Sequence, residues 1–294
     1  MPYVGGIDAG GTSWRCAIVG DDCKILARTA FPTRLPKETL AKAAAFFNEH
    51  GALGLKPETI GVACFGPLGV NPDKPDYGHI LTTTKPGWSQ TDVVGNLARA
   101  TGCKIQIETD VNAAAFGERA WGAGQGINDL AYITVGTGIG AGILLGGTAV
   151  WGSMHPEAGH MRAPRHKHDQ DFGGVCPFHG DCIEGLASAP ALAARWGMDA
   201  ALLHDDHPAW DIQAHYLAHL AVNLVLVTAV QRVIFGGGVM ARVGLIDRVS
   251  QKAKVLLGPY GTAVPGQAGF EIVSAGLGLD AGLMGAVWCA KNFA

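Results

Sequence analysis

Two glycine-rich turns between apolar runs place the strongest constraint on the fold of this chain. The segment "YVGGIDAGGTSWRCAIVG" (3–20) is typical of a strand, a glycine turn and a second strand. A similar unit, "AYITVGTGIGAGILLGG" (131–147), returns more than a hundred residues later. A unit that recurs in this way favours a duplicated architecture, with one glycine hairpin in each of two lobes.

Predicted strands and helices alternate along the rest of the chain. Apolar runs predict strands at 59–66 and 104–110 and a strand with its turn at 232–240. Helical periodicity predicts helices at 39–53, 92–102, 111–122, 184–197, 211–231 and about 244–257, and a last helix at about 277–294. Residues 151–182, rich in His, Pro and Gly, are predicted to be irregular.

This alternation predicts α/β layers. We expect an N-terminal α/β lobe at 1–115, which the C-terminal helix at about 277–294 joins. The second α/β lobe is expected at 116–276, and the irregular loop at about 155–184 belongs to it.

Composition excludes several classes of function. The chain has 294 residues and a net charge of −3, with its Lys and Arg dispersed, so neither nucleic acid nor an anionic membrane is an expected partner. The longest apolar run, 220–230, is too short to span a bilayer, and the N-terminus shows no secretory signal. Seven scattered cysteines argue against a disulfide framework and for a reducing, cytoplasmic location.

The glycine turns are candidates for phosphate binding. "VGTGIGAG" (135–142) satisfies the loose dinucleotide fingerprint, but an apolar strand follows it instead of the helix that a Rossmann unit needs. A Walker A loop is absent, because no GK[ST] occurs. What remains is a hairpin whose backbone N–H groups and Thr137 hydroxyl can face phosphate oxygens. In "DAGGT" (8–12), Asp8 could hold Mg²⁺ through water and Thr12 could bind a phosphate.

Each turn taken alone is as well explained by an ordinary glycine hairpin. Two such turns, with a third loop "GGGV" (236–239) for the nucleoside end, have the layout of an actin-like, two-lobed phosphotransferase. The expected nucleotide-binding residues are Asp8, Gly10, Gly11, Thr12, Gly136, Thr137, Gly138, Gly140, Gly236, Gly237 and Gly238.

Asp110 is a candidate general base. It lies in "IETDVNAAA", at the predicted end of a strand and just before an Ala-rich helix, where α/β proteins bind ligands. Phosphoryl transfer to an alcohol needs a carboxylate that accepts the hydroxyl proton. An Asp at this position can equally be an N-cap, and both readings stand. Asn112 could support the site or face solvent.

"CPFHGDC" (176–182) predicts a metal site. Cys176, His179 and Cys182 are three ligands at compact spacing, and His155, His160, His166 and His168 are candidates for the fourth. Two thiolates and two imidazoles make a closed, structural zinc site, which would order a loop that has no regular structure. The alternative is three surface residues with no metal.

We choose His160 as the fourth ligand. It lies in "PEAGH" after Glu157, and Glu184 follows Cys182 by two residues, so one ion would bring a polar cluster together. Such a cluster of Glu157, His160 and Glu184 suits a polyhydroxylated ligand. His155, His166 and His168 are expected to be solvated loop residues or groups at the rim of a sugar site.

Several of these motifs together resemble the ROK family of sugar kinases. "GIDAGGT", "ETDVNAAA", "VGTGIGAG", "PEAGH", "CPFHGDCIEGLAS" and "VIFGGGVM" occur in the family's order, and "CPFHGDC" is similar to the loop of bacterial ROK fructokinases. The resemblance implies the actin-like (ribonuclease H-like) ATPase fold, with the active site in the cleft between two lobes. It also implies an ATP:D-fructose 6-phosphotransferase, a hexose kinase that uses ATP and Mg²⁺ and is typically a homodimer.

The resemblance also implies roles for residues. Asp110 would be the base, and zinc would bind His160, Cys176, His179 and Cys182. The expected substrate-binding residues are Gly66, Pro67, Asp110, Glu157, His160 and Glu184.

Four departures from the family pattern stand out. Ser13 takes the place of a frequent Lys, and Thr109 that of the Asn of glucose-preferring members. Lys85 stands where those members often have Asn, which favours fructose, and Ala189 where Gly is usual.

Other functions remain as rivals. They are a kinase for glucose or mannose or one of broad specificity, a sugar-responsive transcription regulator, and a non-catalytic actin-like assembly protein. The regulator is disfavoured because the first hairpin begins at residue 5 and leaves no room for a helix-turn-helix. An assembly protein has no need for the sugar-side cluster.

Overall fold

The chain forms two α/β units, seen in a computed structural model that describes residues 3–259 and 270–293. The first unit comprises Met1–Gly122, Trp151–His155 and Asp280–Ala294, and the second comprises Ala123–Val150 and Pro156–Leu279. The predicted lobes met at 115/116, inside a helix that belongs wholly to the first unit. Residues 1, 2, 260–269 and 294 of the predicted lobes lie outside the described residues.

The elements are numbered in chain order. The strands are β1 (Tyr3–Ala9), β2 (Ser13–Val19), β3 (Ile25–Pro32), β4 (Pro57–Cys64), β5 (His79–Ile80), β6 (Thr91–Asp92), β7 (Lys104–Thr109), β8 (Leu130–Val135), β9 (Ile139–Leu145), β10 (Thr148–Ala149), β11 (Arg232–Gly236) and β12 (Glu271–Ser274). The helices are α1 (Pro36–Ala52), α2 (Val93–Thr101), α3 (Asp110–Trp121), α4 (Ile183–Ala187), α5 (Ala189–Trp196), α6 (Ala209–Thr228), α7 (Leu245–Leu257) and α8 (Ala281–Asn292).

The two large sheets share one strand order. In the first unit the order is β3-β2-β1-β4-β7, and in the second it is β10-β9-β8-β11-β12. Each sheet begins with an antiparallel hairpin, β1–β2 or β8–β9, whose first strand also pairs in parallel with the next long strand. The duplicated architecture predicted from the two glycine turns is therefore confirmed.

The last helix belongs to the first unit. α8 packs against α3 and the sheet, and Leu283 and Val287 close an apolar cluster with Ala17 and Val19 of β2. The glycines of α8 allow this close packing: a Cβ added to Gly285 would lie 1.8 Å from the carbonyl oxygen of Ala113 in α3. The helix predicted at 277–294 is thus shorter, and its glycines serve contact between helices.

Some predicted elements differ in their ends. The helix predicted at 184–197 is two helices, because Ser188 is extended (φ −72°, ψ 165°) and its side chain accepts a hydrogen bond from Ala191 N to cap α5. The strand predicted at 104–110 ends at Thr109, and Asp110 begins α3. β3 and β12 were not predicted.

The segment 151–182 has little regular structure, as expected. Only a 3₁₀ turn, Ala158–His160, and an isolated bridge between Cys176 and Gly180 interrupt it. Among residues 3–259 and 270–293, no helix combines the length and the apolar character needed to cross a lipid bilayer.

Candidate active site and metal centre

The carboxyl ends of three neighbouring strands bring the first unit's candidate residues to one edge of its sheet. Ala9 of β1 is in register with Cys64 of β4, and Cys64 is in register with Thr109 of β7. Asp8, the 66–67 segment and Asp110 therefore follow one another along this edge. The pKa of the buried Cys64 thiol is raised by burial first, and then by the charges of Asp110 and Asp8. Such an edge is where α/β proteins bind ligands.

Asp8 is a partly buried carboxylate with one nearby cation. Burial raises its pKa to about 6, although Arg15, whose Nη1 lies 3.6 Å from Asp8 Oδ2, acts in the opposite direction. The register of the hairpin explains this pair, because Asp8 is directly opposite Arg15 on β2. The guanidinium of Arg15 does not fully offset the cost of burying the negative charge of Asp8, so the carboxylate is suited to attract a second cation.

The turn after Asp8 is fixed by backbone hydrogen bonds and stays open on its outer side. Gly10 N donates to the carbonyl of Ser13 (3.1 Å), and Thr33 Oγ1 donates to the carbonyl of Gly10 (2.7 Å). Gly11 has open space where a side chain would project, and Thr12 is exposed. Ser13, one of the four departures from the family pattern, contributes to this turn through its main-chain carbonyl.

Asp110 is the first residue of α3 and does not cap it. The N-cap is Thr109, whose Oγ1 accepts a hydrogen bond from Asn112 N (3.2 Å). Asp110 Oδ1 accepts from Val111 N (2.9 Å), and the side chain is partly exposed. The N-cap alternative for Asp110 is therefore wrong, and so is its placement at the end of a strand. Thr109, one of the departures, fills the capping role.

Two buried residues support this turn. Glu108 was not singled out from the sequence, and Asn112 was left with two alternatives. Glu108 Oε1 accepts hydrogen bonds from Thr109 N (2.8 Å) and from Asn112 Nδ2 (3.1 Å). Burial raises the pKa of Glu108, and these donors oppose the shift. Asn112 is fully buried, so the alternative that it faces solvent is wrong. No local pattern marked Glu108, because it alternates along β7 with the polar residues Lys104 and Gln106 and not with the isoleucines.

The histidines not chosen as metal ligands are mostly buried. His155 Nε2 accepts a hydrogen bond from Leu68 N (3.2 Å) and lies close to Gly66, so it supports the predicted substrate loop at 66–67. His166 is also buried, and its Nε2 lies 3.2 Å from Asp211 Oδ2. The expectation that both are solvated loop residues is wrong, because each side chain makes a polar contact with a distant segment. The alternative, that they are groups at the rim of a sugar site, stays a prediction. His168 is exposed as expected.

In the second unit, the two glycine loops predicted to bind nucleotide lie side by side. The turn 136–138 joins β8 to β9, and its Gly136 N donates to the carbonyl of Gly138 (2.9 Å). β11 runs parallel to β8 and ends at Gly236, so the 236–238 loop emerges at the same edge. Gly237 has a φ of 90°, and a Cβ there would lie 2.4 Å from the carbonyl oxygen of Val135. Only glycine permits this approach.

Glu157, His160 and Glu184 lie near one another in the second unit. Burial raises the pKa of Glu157, His160 lowers it, and the charge of Glu184 raises it further. Glu184 Oε2 also accepts a hydrogen bond from Ile139 N (2.9 Å), at the first residue after the glycine turn. The polar cluster expected for a polyhydroxylated ligand therefore adjoins the 136–138 turn.

The four predicted zinc ligands form a compact group. The ligand atoms of His160, Cys176, His179 and Cys182 all lie within 4.8 Å of one another. The two Nδ1 atoms are 3.3 Å apart, and His160 Nδ1 lies 3.5 Å from Cys182 Sγ and 3.7 Å from Cys176 Sγ. Ordinary zinc bond lengths in a tetrahedron require about 3.4 Å between two nitrogens and about 3.6 Å between nitrogen and sulfur. The donor set fits a tetrahedral zinc ion.

The chemistry of the donors points the same way. Two thiolates and two imidazoles are soft and borderline ligands that suit zinc and leave no position for a reacting water. His160 is the fourth member, because His155 and His166 are engaged elsewhere. The alternative of three surface residues is wrong for Cys176 and Cys182, which are buried. That a metal binds here stays a prediction.

Comparison with known proteins identifies the family. The sequence profile of the ROK family matches residues 4–293. The chain belongs to the ROK family. Among ROK relatives, a fructokinase of Zymomonas mobilis is 42% identical over 292 residues, which cover 96% of this chain and 94% of that protein. A fructokinase of Lactococcus lactis is 39% identical over 258 residues, covering 88% and 86%.

A solved ROK structure agrees with the fold. The ROK hexokinase from Thermus thermophilus superposes with a TM-score of 0.79 at 27% identity, covering 98% of each chain. The chain therefore has the actin-like ATPase fold, built from two α/β units, that the motifs led us to expect.

Proposed function

We propose that this chain is an ATP-dependent fructokinase. It transfers the terminal phosphoryl group of ATP to the 6-hydroxyl of D-fructose and releases ADP and fructose 6-phosphate. The observation that carries this proposal is the 42% identity to a fructokinase over 96% of the chain. Four further fructokinases, one of them described as putative, match at 37–39% identity over 87–98% of the chain.

The nucleotide side of the proposal uses both glycine turns. The N–H groups of residues 10–12 and 136–140 bind the phosphates of ATP, and residues 236–238 contact the nucleoside. Asp8 would hold Mg²⁺ through a water molecule. The ion would neutralise negative charge on the transferred phosphoryl group. The high pKa that burial gives Asp8 supports this role, because a bound cation removes the cost of its negative charge.

The sugar side uses Asp110 as the base. Its carboxylate accepts the proton of the 6-hydroxyl as that oxygen attacks the phosphorus atom. Gly66, Pro67, Glu157, His160 and Glu184 bind the other hydroxyls. The Glu108–Asn112–Thr109 hydrogen bonds hold the first turn of α3 and so fix the direction of Asp110.

Zinc is a structural part of the proposal. His160, Cys176, His179 and Cys182 would hold it, and a bound ion would fix the orientation of His160 and of the loop around it. The second ring nitrogen of His160 remains to donate to a sugar hydroxyl.

The proposal further includes a cytoplasmic homodimer that has no nucleic-acid or membrane partner. None of the seven cysteines forms a disulfide, which suits a reducing compartment.

A hexose panel tests the substrate. ATP consumption is measured with fructose, glucose and mannose on the same preparation, together with its zinc content. We expect kcat/KM for fructose to exceed that for either other hexose by about tenfold or more, which is the effect of one hydrogen bond worth about 1.4 kcal/mol. Equal values favour the second candidate, a broad hexokinase, which the Thermus thermophilus ROK hexokinase also suggests. A higher value for glucose or mannose would make the chain a glucokinase or mannokinase.

Asp110→Asn tests the base. The amide keeps the size of the side chain but cannot accept the hydroxyl proton, so kcat should fall by a factor of about 10² to 10⁴ while fructose binding changes little. Glu38→Gln is the matched control, since Glu38 is also a carboxylate in the first turn of a helix and is exposed. Near-normal turnover of Asp110→Asn with intact fructose binding would show that Asp110 is not the base.

A further inference from the structure

The turn that is proposed to bind phosphate in the second unit is held in place by a neighbouring carboxylate. Glu184 Oε2 accepts the hydrogen bond of Ile139 N at 2.9 Å. The same oxygen lies 2.7 Å from where a Cβ on Gly138 would be, so the carboxylate occupies one side of the turn. Gly136 has open space in the corresponding direction, which leaves that side of the turn free for phosphate.

The other end of the turn is held by the same segment. Ala189 N donates to the carbonyl of Gly136 at 2.8 Å. Glu184 and Ala189 thus hold both sides of the 136–138 turn from a stretch of only six residues. This contact also explains why Ala189 can replace the family's usual Gly. The residue acts through its main-chain N–H, which alanine retains.

The predicted zinc ligands connect directly to this segment. Cys182 is the N-cap residue of α4, and its Sγ accepts from Gly185 N at 3.4 Å. Glu184 is the second residue of α4. Ile183 N donates to the carbonyl of Met161, next to His160 (2.9 Å). Whatever fixes Cys182 and His160 therefore also fixes the position of the Glu184 carboxylate.

We propose that Glu184 is a positioning residue for the nucleotide phosphates, in addition to its role as a sugar ligand. Its hydrogen bond to Ile139 N orders the 136–138 turn, so the zinc-braced loop sets the affinity for nucleotide before any sugar binds. The inference rests on the proposed function, because it assumes that this turn binds the phosphates of ATP. It adds a link, through one carboxylate, between the sugar cluster and the nucleotide loops.

The test measures nucleotide binding without sugar. MgADP is titrated into the zinc-loaded enzyme by calorimetry, for wild type, Glu184→Ala and Glu184→Gln. The glutamine keeps a carbonyl oxygen that can accept from Ile139 N, whereas alanine has no acceptor. We expect Glu184→Ala to weaken MgADP binding about tenfold and Glu184→Gln to change it less than about twofold. Both variants should lose fructose affinity.

Two results would overturn the proposal. Unchanged MgADP affinity in Glu184→Ala would make Glu184 a sugar ligand alone. Equal weakening in Glu184→Ala and Glu184→Gln would assign the effect to charge and not to the hydrogen bond. If Glu184→Ala does not fold, Glu184→Met retains the volume of the side chain without a strong acceptor, and the same tenfold loss is expected of it.

A neighbouring carboxylate provides the matched control. Glu157→Gln changes the same polar cluster, and we expect it to weaken fructose binding while MgADP affinity stays within about twofold of wild type. A loss of MgADP affinity in Glu157→Gln as large as in Glu184→Ala would contradict the assignment. Wild-type turnover with fructose is measured separately, so a failure of the proposed function is seen there and is not confused with a failure of this inference.

Discussion

The partly buried carboxylate of Asp8 shows how stability and function compete in this protein. Asp8 lies at the end of an apolar strand, and burial raises its pKa from 3.8 to about 6. Between these two pH values the folded chain binds more protons than the unfolded chain, so its stability falls as the pH rises. Above about pH 6 the ionised carboxylate costs the fold about 3 kcal/mol, from a pKa difference of 3.8 to about 6.

Asp8→Asn is therefore expected to stabilise the nucleotide-free protein and to impair it as an enzyme. At pH 8 the free energy of unfolding should rise by up to about 3 kcal/mol, and most of the gain should be lost at pH 4, because the folded carboxyl is then neutral and the pH is close to the unfolded pKa of 3.8. Urea denaturation at the two pH values measures this. Turnover with MgATP should fall sharply, because the amide no longer attracts the metal.

The exposed Asp21 provides the control for this prediction. Asp21→Asn removes one negative charge from the same unit, and it should leave both stability and turnover unchanged. A stabilisation of Asp8→Asn that is equal at pH 4 and pH 8 would show that ionisation of Asp8 is not its cause.

At the scale of elements, the contact between α3 and α8 depends on the absence of side chains. Gly117 of α3 and Gly285 of α8 face each other, and a Cβ on either would lie within 3 Å of the partner helix's main chain. This contact places α3, and with it Asp110, against the last helix of the chain. The close approach explains why a helix with several glycines is retained at this position.

Gly285→Ala is expected to separate the two helices. Alanine gains about 1 kcal/mol in helix propensity, but a Cβ 1.8 Å from the Ala113 carbonyl oxygen must push the main chains apart. Overpacking of this kind costs about 1–3 kcal/mol or more, so we expect a net loss of about 2 kcal/mol, measured by thermal or urea unfolding. Gly152→Ala is the control, since no atom lies within 4 Å of its added Cβ. A more stable Gly285→Ala would contradict the packing argument.

The order of the irregular loop is expected to depend on zinc bound by its ligand cluster. Cys176→Ser should lower the zinc content of the purified protein and weaken fructose binding together, because His160 and Glu184 lose their support. His168→Gln, in the same loop but exposed and outside the cluster, should change neither. Zinc analysis and fructose titration measure the two quantities. Normal fructose affinity in zinc-free Cys176→Ser would contradict a bracing role.

Local spacing explains what could be predicted from the sequence. The ligand cluster follows from residues close in sequence, and the glycine turns from short patterns of apolar residues. β3 was missed because its eight residues alternate between partly buried and exposed, so no apolar run marks it. The contact of His155 with Leu68 joins residues 87 apart, and no local pattern predicts it. The support of Asp110 by Glu108 was equally hidden, because a buried acid on a strand carries no signature of its partners.

At the scale of the whole molecule, one sheet plan is used twice with different chemistry. Both units have the same strand order and a glycine turn after their first strand. The first unit places two carboxylates, Asp8 and Asp110, at the edge of its sheet, while the second carries the ligand cluster and the Glu157–His160–Glu184 group. Sequence repetition predicted the shared plan. The irregular loop, which carries the ligand cluster, has no counterpart in that repetition and was predicted from its ligand spacing instead.

The placement of α8 has a consequence for how the chain is made. The first sheet and α3, which carry Asp8 and Asp110, leave the ribosome early, but the helix that packs against them, Ala281–Asn292, is translated last. The second unit, apart from its final residues, is complete in the nascent chain before the first unit can close. A premature stop codon just before residue 280 would thus leave a long polypeptide with the three glycine turns and six of the seven cysteines in place, since only Cys289 lies beyond that point. Its first sheet would still present a bare apolar face to chaperones and proteases.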